Sequence, residues 1–458
     1  MQSKRRALAS AAVIFAAWGG PAWAGGFAIP EQSATFLGTS FAGAAAGGDI
    51  SSMYWNPAAL VTVPGFQMQS NVTVGRQSSN IQAQPGSTLL GAPGLATTSG
   101  NIFPDFAVVP SSYASYQINR DLFIGLAINS PFGSATHPAN RNWDGFASST
   151  SSSIATYDFN PTIAYRILPN FSVGVGAQVQ YMSADLRNAQ PLPAGFGVPL
   201  ANSPTVILNG IDHWAFGFTV GALWQPTQTT QIGFGYRSGI NEDLKGQFKF
   251  DDPNPLFASA TALTDTKIHL PAIATASIRQ DLSPTFTLLG TAQWTQWSNL
   301  QSLTANCQSN SSLLGGAIPI CASGQAVRSL PLNWHDGWFF SAGAEQKLSQ
   351  SLLLRAGLAY ERSPVQSADE NLVAILDSDR IWASAGLQYK LNRMITADLS
   401  YAHVFFKGSS VSNSAVQPPG AVPPAFNIVG STQRDADVLA ASLTMRFDPP
   451  PPAPKIVK

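Results

Sequence analysis

Charged residues are scarce in this chain of 458 residues: they make up 11%, and 25 Lys plus Arg balance 25 Asp plus Glu. A chain without a basic excess lacks the electrostatic footprint of a nucleic-acid binder, so nucleic acid is excluded as a partner. Long apolar runs are also lacking. The longest nearly unbroken one, residues 7–18, has twelve residues, whereas a membrane-spanning helix needs roughly 20. A helical membrane protein is therefore excluded.

The apolar run at the N-terminus has a different explanation. Lys4, Arg5 and Arg6 precede it, and Ala22-Trp23-Ala24 follows it. This order of charged, apolar and small residues is typical of a secretory signal. We predict a signal peptide over residues 1–24 with cleavage after Ala24, which leaves 25 − 3 = 22 basic against 25 acidic residues. The protein is expected to be exported and mildly acidic.

Cysteine and histidine are rare, which limits the chemistry available. Cys307 and Cys321 could form a disulfide closing a 15-residue loop, worth about 3 kcal/mol in the chain-entropy model. Two free thiols are the alternative. The five histidines are scattered, and no G-x-S-x-G, H-E-x-x-H or G-x-x-x-x-G-K motif occurs. We expect no metal, no cofactor and no enzymatic activity, although an outer-membrane enzyme stays a minor alternative.

Strict alternation of apolar and small or polar residues dominates the sequence after about residue 65. Trp214, Phe216, Phe218 and Trp224 share one face of a segment in which Gly217 belongs to the other. Ten steps at ~3.3 Å and a tilt of ~40° span about 25 Å along a membrane normal. The segment therefore predicts a membrane-crossing strand with aromatic residues at both rims.

The lengths of the connections indicate how these strands are arranged. Short turns alternate with seven connections of roughly 17 to 36 residues, a pattern typical of bacterial outer-membrane barrels with both termini in the periplasm. Lipid would leave the edges of an open sheet unpaired, so we expect the sheet to close. The fourteen predicted antiparallel strands are 66–76, 106–118, 122–132, 157–167, 171–186, 213–224, 231–250, 268–281, 285–300, 337–348, 352–362, 380–391, 395–407 and 435–447.

The region before the first strand is predicted to plug the barrel. Side chains alone would not fill a bore of fourteen strands. Residues 25–65 are rich in Ala and Gly and do not alternate. Asn56 followed by Pro57 is a helix start, because Asn caps free N–H groups and Pro fits the first turn. We expect a small helical hatch here and the transmembrane barrel over residues 66–447; a flexible N-terminal arm is the alternative to the hatch.

A set of short motifs runs through the mature chain. As a set they resemble the FadL family of outer-membrane transporters, which carry long-chain fatty acids and other hydrophobic compounds and include the toluene and xylene channels. The motifs are residues 26–33, Asn56-Pro57-Ala58, Ser130-Pro131-Phe132-Gly133, Gly235-Tyr236-Arg237-Ser238, residues 294–298, Ser363-Pro364-Val365, residues 377–380 and Tyr401-Ala402-His403.

The resemblance implies passive uptake of a hydrophobic molecule by a Gram-negative outer-membrane protein. Extracellular loops capture the ligand, a pocket beside the hatch receives it, and a kink in strand 3 releases it sideways into the bilayer. An apolar cargo suits this route, because the hydrocarbon core is where it is most stable. Long-chain fatty acids are the expected cargo. An aromatic hydrocarbon such as toluene is the alternative, and a surface adhesin or an open porin is a weaker one.

The resemblance also assigns roles to individual residues. Asn56 and Pro57 match the hatch motif, and Phe27 matches the N-terminal segment that moves when the family binds ligand. The sequence from Pro131 through Phe132 to Gly133 matches the strand-3 kink. An ordinary turn at the end of the strand is the alternative, although Pro131 favours a disrupted ladder.

Recognition of a carboxylate headgroup would require a cation in an apolar pocket. Arg187 lies one position from a basic site of the family, where this chain has Asn188, and Arg328 lies near a second one. Either arginine could instead face the phosphates of lipopolysaccharide. The apolar loop over residues 188–212 is a further candidate for an interaction surface, with self-packing of the loop as the alternative.

The chain end and the remaining partners complete the prediction. Phe447 closes the last strand as barrels normally end for the barrel assembly machinery, and the Pro-rich residues 448–458 continue beyond it as an extended periplasmic tail. Outer-membrane lipid and lipopolysaccharide are the expected surroundings. We expect a monomer.

Overall fold

The computed structural model describes residues 25–89, 92–93, 97–103, 106–189, 205–211, 214–251, 261–313, 318–415 and 426–447. The predicted signal peptide and the Pro-rich tail lie outside these residues, as do His213 and most of the apolar loop at 190–204. Among the described residues, no helix is long and apolar enough to cross a bilayer.

Fourteen antiparallel strands form a closed barrel, as predicted. Each strand pairs with the next along the chain. The last strand returns to the first over Gln67↔Arg446 to Ala83↔Gly430, so the sheet has no open side. The strands are β1 Phe66–Ala83, β2 Ala107–Gln117, β3 Leu122–Asn129, β4 Ser151–Leu168, β5 Phe171–Ala189, β6 Ala215–Thr227, β7 Thr230–Arg237, β8 Ile273–Asp281, β9 Phe286–Thr295, β10 Gly337–Lys347, β11 Leu352–Arg362, β12 Arg380–Lys390, β13 Ile395–Phe406 and β14 Phe426–Arg446.

The alternation in the sequence decides which side chains face outward. On β6, Phe216 and Phe218 are exposed on the outside of the barrel, whereas Ala215, Thr219 and Leu223 are buried inside it. The same alternation recurs on the other strands, so the exterior carries a continuous apolar surface. Such a surface is stable against lipid hydrocarbon rather than water.

Some predicted strands have different ends in the structure. The predicted strand 231–250 is interrupted at Ser238-Gly239, and the predicted strand 268–281 at Pro271-Ala272. Pro271 cannot donate to a ladder, and a Cβ on Gly239 would lie 2.7 Å from the Leu270 carbonyl oxygen. The predicted strand 285–300 is also too long, because β9 ends at Thr295 and a short 3-10 helix, Trp297–Asn299, follows.

Further strands extend beyond one end of the barrel, on the side of the long connections. They pair mainly with each other and with the long strands β1, β4, β5 and β14. Cys307 and Cys321 lie in this outer part and are joined by a disulfide. The outer strands are Thr88–Leu89, Ala92–Pro93, Thr98–Asn101, Gly133–Thr136, Thr205–Ile211, Ile240–Asp251, Thr261–Leu270, Ser302–Cys307, Ser311–Leu313, Ile318–Cys321, Ala326–Pro331 and Ser409–Ala415.

Residues 25–65 lie inside the barrel and contact its wall in several directions. They contain helix α1, Ala34–Leu37, and the 3-10 helices Ala44–Ala46, Ile50–Tyr54, Pro57–Thr62. Backbone N–H groups of this hatch donate to Asn71 on β1, Ser277 on β8 and Thr291 on β9. The neighbouring strands β8 and β9 lie across the lumen from β1, so the hatch is attached to opposite sides of the wall.

Asn56 has two roles in the hatch. Its side-chain oxygen accepts a hydrogen bond from the Ala58 N–H at 3.0 Å and so caps the 3-10 helix that starts at Pro57. Its amide nitrogen donates to the carbonyl of Ala45 in the hatch and to that of Ala222 on β6. One buried side chain therefore starts the helix and fastens it to the wall.

Glycines on the inner wall allow the hatch backbone to lie directly against the strands. A Cβ on Gly235 would lie 1.8 Å from the Trp55 carbonyl oxygen, and one on Gly357 would lie 2.1 Å from the Thr39 carbonyl carbon. Both positions would collide with backbone rather than with a movable side chain. The hatch can occupy its position only while these residues are glycine.

We predict that Gly235→Val or Gly357→Val displaces the hatch while the barrel still forms, because the strand ladder does not depend on these side chains. The open lumen should raise single-channel conductance in planar bilayers above the wild-type level, with the folded barrel verified by its heat-modifiable gel mobility. Gly290→Val is the control, since a Cβ there would meet the Ile278 side chain at 3.2 Å and the Ser341 carbonyl oxygen at 3.8 Å, an ordinary contact distance, and no residue of the hatch. Unchanged conductance in both hatch variants would contradict the prediction.

Candidate functional site

The wall of the barrel is interrupted beside β3. The ladder between β2 and β3 ends at the pair Ser112↔Ile128. On the other side, β3 pairs with β4 up to Asn129↔Asp158, and pairing resumes at Gly133↔Ala155 in the outer strand Gly133–Thr136. Between these two pairs the chain after β3 advances by four residues while β4 advances by three. The chain after β3 therefore contains one extra residue, as in a β-bulge.

The interrupted segment, residues 130–132, forms the kink. Pro131 has no N–H to give to a ladder. In the described residues, the outer strand Gly133–Thr136 continues the pairing with β4 and has no pairing with β2. In this part of the described chain, no ladder joins the outer part of β2 to the kink, and we call this unpaired stretch of the wall the gap.

The N-terminal segment of the hatch takes the place of the missing strand partner. The N–H of Ile29 donates to the Pro131 carbonyl at 2.8 Å, and the N–H of Gly133 donates to the Phe27 carbonyl at 2.8 Å. Between them Ala28 and Phe132 form an isolated antiparallel bridge. The kink is therefore directed into the lumen, where the hatch satisfies its backbone.

Gln32 fixes the kink through its side-chain amide. Its nitrogen donates to the Ser130 carbonyl at 2.7 Å, and its oxygen accepts from the Ser130 N–H and from the Asn129 side chain at 3.3 Å each. The side chain is fully buried. Sequence reasoning included Gln32 only as part of a motif and assigned it no role.

Phe27 closes the space between the kink and the outer part of the protein. Its ring lies 6.0 Å from Phe132, 4.9 Å from Trp297 and 6.0 Å from Trp334, measured between ring centroids, and it is completely buried. These rings belong to one apolar cluster that also contains Leu303 in the outer strands. The cluster links the outer part to the kink without a polar break.

An inner cavity lies between the hatch and the wall formed by β7 to β11. In the closed state its free volume is about 40 Å³, well below the roughly 300–1,000 Å³ of typical ligand sites, so a ligand must displace side chains to enter it. Its lining is largely aromatic and aliphatic, with a few polar groups. The apolar side chains include Ile29, Phe41, Trp55, Ile273, Trp297 and Phe339, and the polar ones include Arg237, Thr275, Gln293 and Glu361.

Arg237 is the buried cation of this cavity. Its guanidinium forms an ion pair with Asp158 at 2.6 Å, donates to the Tyr54 carbonyl at 3.3 Å and lies 4.5 Å from the centroid of the Tyr54 ring. Burial raises the pKa of Tyr54 to about 12, so its phenol stays neutral. Arg237 was identified from the sequence as part of a motif but not as a candidate binding residue.

A second, outer cavity lies among the strands beyond the barrel. Its free volume is about 30 Å³, and it is lined mainly by apolar side chains, among them Leu186, Leu208, Leu244, Ile268 and Leu303. Leu208 belongs to the loop that the sequence identified as unusually apolar. In the structure it lines this cavity, while Leu192, Phe196, Val198 and Leu200 of the same loop lie outside the described residues.

The two predicted headgroup residues lie in the outer part of the protein. Arg187 is near the end of β5, where its half-exposed side chain pairs with Asp185 at 2.7 Å. It is not among the residues that line the inner or outer cavity. Arg328 lies in the strand Ala326–Pro331, and its side chain is outside what the structure describes. Among the described residues, no cluster of three or more His, Cys, Asp or Glu could hold a metal.

We predict that Gln32→Leu loosens the kink, because it leaves the Ser130 peptide group buried without partners. An unsatisfied buried group costs about 1–3 kcal/mol, so amide exchange across residues 130–136 should accelerate roughly 5- to 150-fold. Hydrogen–deuterium exchange with mass spectrometry of the protein in detergent measures this.

The matched control for this substitution is Gln77→Leu. Gln77 is also a buried glutamine of the lumen, but neither of its side-chain atoms has a hydrogen-bond partner among the described residues. It should leave exchange at residues 130–136 unchanged. Equal exchange in both variants would mean that Gln32 does not hold the kink.

Comparison with known proteins adds to this geometry. A family model described as "Outer membrane protein transport protein (OMPP1/FadL/TodX)" matches residues 14–447. The chain is 29% identical over 437 residues to the "47 kDa outer membrane protein" of Pasteurella multocida, covering 89% of this chain and 93% of that protein. It is 26% identical over 414 residues to the "Long-chain fatty acid transport protein" of Escherichia coli O6:H1, covering 83% and 87%. A crystal structure of a Pseudomonas aeruginosa FadL homologue superimposes with a TM-score of 0.78 at 22% identity, covering 92% of this chain and 100% of the other.

Proposed function

The chain belongs to the OMPP1/FadL/TodX family of outer-membrane transport proteins, and from that premise we propose that it takes up long-chain fatty acids and releases them sideways at the β3 kink. Its place in the outer membrane and its function as a passive transporter of hydrophobic compounds follow from the family. The family consists of transport channels and not of enzymes. The identity of the cargo and the lateral exit are the proposal.

The gap beside the kink is the observation that carries the proposal. There the ladder of β2 with β3 stops at Ser112↔Ile128, and the apolar cluster around Phe27 reaches the wall at the same place. The hatch backbone lies directly on Gly235 and Gly357, so a straight path to the periplasm is blocked. We propose that a ligand in the inner cavity leaves along the apolar cluster that contains Phe27, Trp297 and Phe132.

Lateral release also agrees with the energetics of an apolar cargo. Each methylene that moves from an apolar site into water costs about 0.8 kcal/mol, so a chain of ~16 methylenes would pay about 13 kcal/mol to enter the periplasm. Release into the bilayer avoids this cost. Transport can therefore run down a gradient of the ligand without an energy source.

The proposed sequence of sites begins at the outer cavity. Its apolar lining would accept the hydrocarbon chain from the outside, and the cluster through Leu303 and Trp297 would pass it to the inner cavity. There Arg237 is our candidate for the carboxylate, because a guanidinium has five N–H donors and the described residues accept hydrogen bonds from two of its nitrogens. Arg187 and Arg328 are proposed to meet anionic groups earlier, at the outer mouth.

An aromatic hydrocarbon is the second candidate cargo. Phe41, Trp55, Trp297 and Phe339 line the inner cavity, and ring edges and faces of this kind favour contact with an aromatic ligand. Such a cargo would need neither Arg237 nor the outer arginines. Uptake assays with labelled oleate and labelled toluene distinguish the two cargoes.

We predict that deletion of Pro131 abolishes uptake of labelled oleate in cells lacking their own transporters. The deletion leaves three steps on each strand between the pairs Asn129↔Asp158 and Gly133↔Ala155, so the ladder can run straight and close the gap. Pro131→Ala keeps the extra residue and is the control, in which most uptake should remain. Full uptake by the folded deletion variant would refute lateral release.

We predict further that the paired replacement Arg237→Gln with Asp158→Asn lowers oleate uptake at least about tenfold, since a charge-assisted hydrogen bond to the carboxylate is lost. Changing both residues avoids leaving Asp158 as a buried unpaired charge. Uptake of labelled toluene, measured in parallel, should be affected little. If cells that express the wild-type protein take up toluene but not oleate, the cargo is an aromatic hydrocarbon and Arg237 does not have the proposed role.

A further inference from the structure

The first residues of the predicted mature chain end in a buried cluster of charges. The Gly25 nitrogen lies 2.5 Å from a carboxylate oxygen of Glu361, and the Gly26 nitrogen lies 2.8 Å from a carboxylate oxygen of Asp377. Glu361 is on β11 and Asp377 precedes β12. Both acidic side chains are buried.

Two arginines complete this cluster on the barrel side. Arg380 forms ion pairs with Asp377 and, at 3.6 Å, with Glu361. Arg434 lies 3.9 Å from Asp377 and donates to the Leu376 carbonyl at 2.7 Å. Both guanidinium groups also stack on the Phe406 ring. Four charged side chains are thus enclosed around the start of the hatch.

Glu31 gives the cluster an excess of acidic groups. It is almost completely buried, neither carboxyl oxygen has a hydrogen-bond partner among the described residues, and the charges of Glu361 and Arg380 act on it. In a chain that continues through residue 24, burial raises the pKa of Glu31 to about 8. At neutral pH Glu31 is then largely protonated, and it ionises only when a further cation joins Arg380 and Arg434, because a buried charge needs a partner.

We propose that signal-peptide cleavage after Ala24 supplies the missing cation: the α-ammonium group of Gly25 pairs with Glu361 and pins the N-terminal segment against the kink. We call this ion pair between the Gly25 ammonium group and Glu361 the pin. It forms only two residues before Phe27, so it fixes the ring that closes the route to the gap. An ammonium group also binds a carboxylate more strongly than the peptide N–H of an uncleaved chain does. Cleavage of the signal peptide then also creates the ion pair that holds Phe27 in its closed position.

The position of the ammonium group is set by chain length. One added residue would move it by up to about 3.5 Å along an extended chain, which is enough to break a direct contact with Glu361. Gly26 could still donate to Asp377, since the rest of the segment would be unchanged. The proposal therefore requires the mature chain to begin at residue 25.

The sequence offers a direct chemical test. The first Lys or Arg after Gly25 is Arg76, so trypsin releases residues 25–76 as one peptide whose single amine is the α-amino group. Reductive methylation of the folded, purified protein, followed by mass spectrometry of this peptide, measures how accessible that group is. The same peptide also shows where cleavage occurred.

We expect methylation of the wild-type α-amine to be at least about tenfold slower in the folded than in the denatured protein, because the paired ammonium is shielded. Glu361→Gln should remove most of this protection. Glu345→Gln is the matched control: Glu345 is also a buried acidic residue of the barrel wall, but it pairs with Arg279 and Arg355. It should leave protection intact.

Three results would overturn the proposal: a wild-type amine that reacts as fast as in the denatured chain, equal effects of Glu361→Gln and Glu345→Gln, or a mature chain that begins elsewhere. A second variant with one Gly inserted between Ala24 and Gly25 changes no charge. It should lose protection and take up oleate differently from wild type, with the barrel still folded. An unchanged amine and unchanged uptake in that variant would also count against the pin.

This inference rests on the proposed function only for its effect on uptake. Amine protection reports the ion pair whatever the cargo is. If protection depends on Glu361 but neither oleate nor toluene is taken up, the pin stands and the proposed cargo fails. If uptake follows the kink variants but the amine is unprotected, the proposed function stands and the pin fails.

Discussion

The need to pair every backbone N–H and C=O group in contact with lipid governs this structure. It explains why fourteen alternating strands close on each other, with β14 paired to β1 from Gly430 to Arg446. It also makes the gap beside β3 exceptional, since Pro131 removes a donor and an extra residue breaks the register. The gap persists because Phe27, Ile29 and Gln32 satisfy the kink from inside. The gap in the wall therefore depends on the hatch.

A closed barrel with a bound hatch also limits how a ligand can pass. The outer cavity, the apolar cluster and the inner cavity follow one another and reach the wall where its ladder is interrupted. Polar groups along this path are few, and Arg237 is held in place by Asp158 and Tyr54. The aromatic residues that pack around Phe27 in the closed state must move apart when a ligand leaves.

Much of the fold could be predicted from the sequence, because alternation and the lengths of connections are local properties. The fourteen strands and the cap at Asn56 are of this kind. The breaks at Ser238-Gly239 and Pro271-Ala272 were missed, although Gly239 and Pro271 are local signals for an interrupted strand. Gln32 and Arg237 were missed as site residues because their partners, Ser130 and Asp158, are distant in sequence and meet only when the barrel closes.

The contact between Ala28 and Phe132 gives the most direct test of the gate. Hydrogen bonds flank this antiparallel pair on both sides, so the two residues form a close, non-hydrogen-bonded pair whose geometry suits a disulfide. Cysteines at both positions, in a chain whose own Cys307 and Cys321 are replaced by Ser, would lock the N-terminal segment to the kink. Uptake of the cargo should stop on oxidation and return on reduction, while the same background without the added pair is unaffected. Undiminished uptake through a barrel shown by mass spectrometry to be cross-linked would contradict the account.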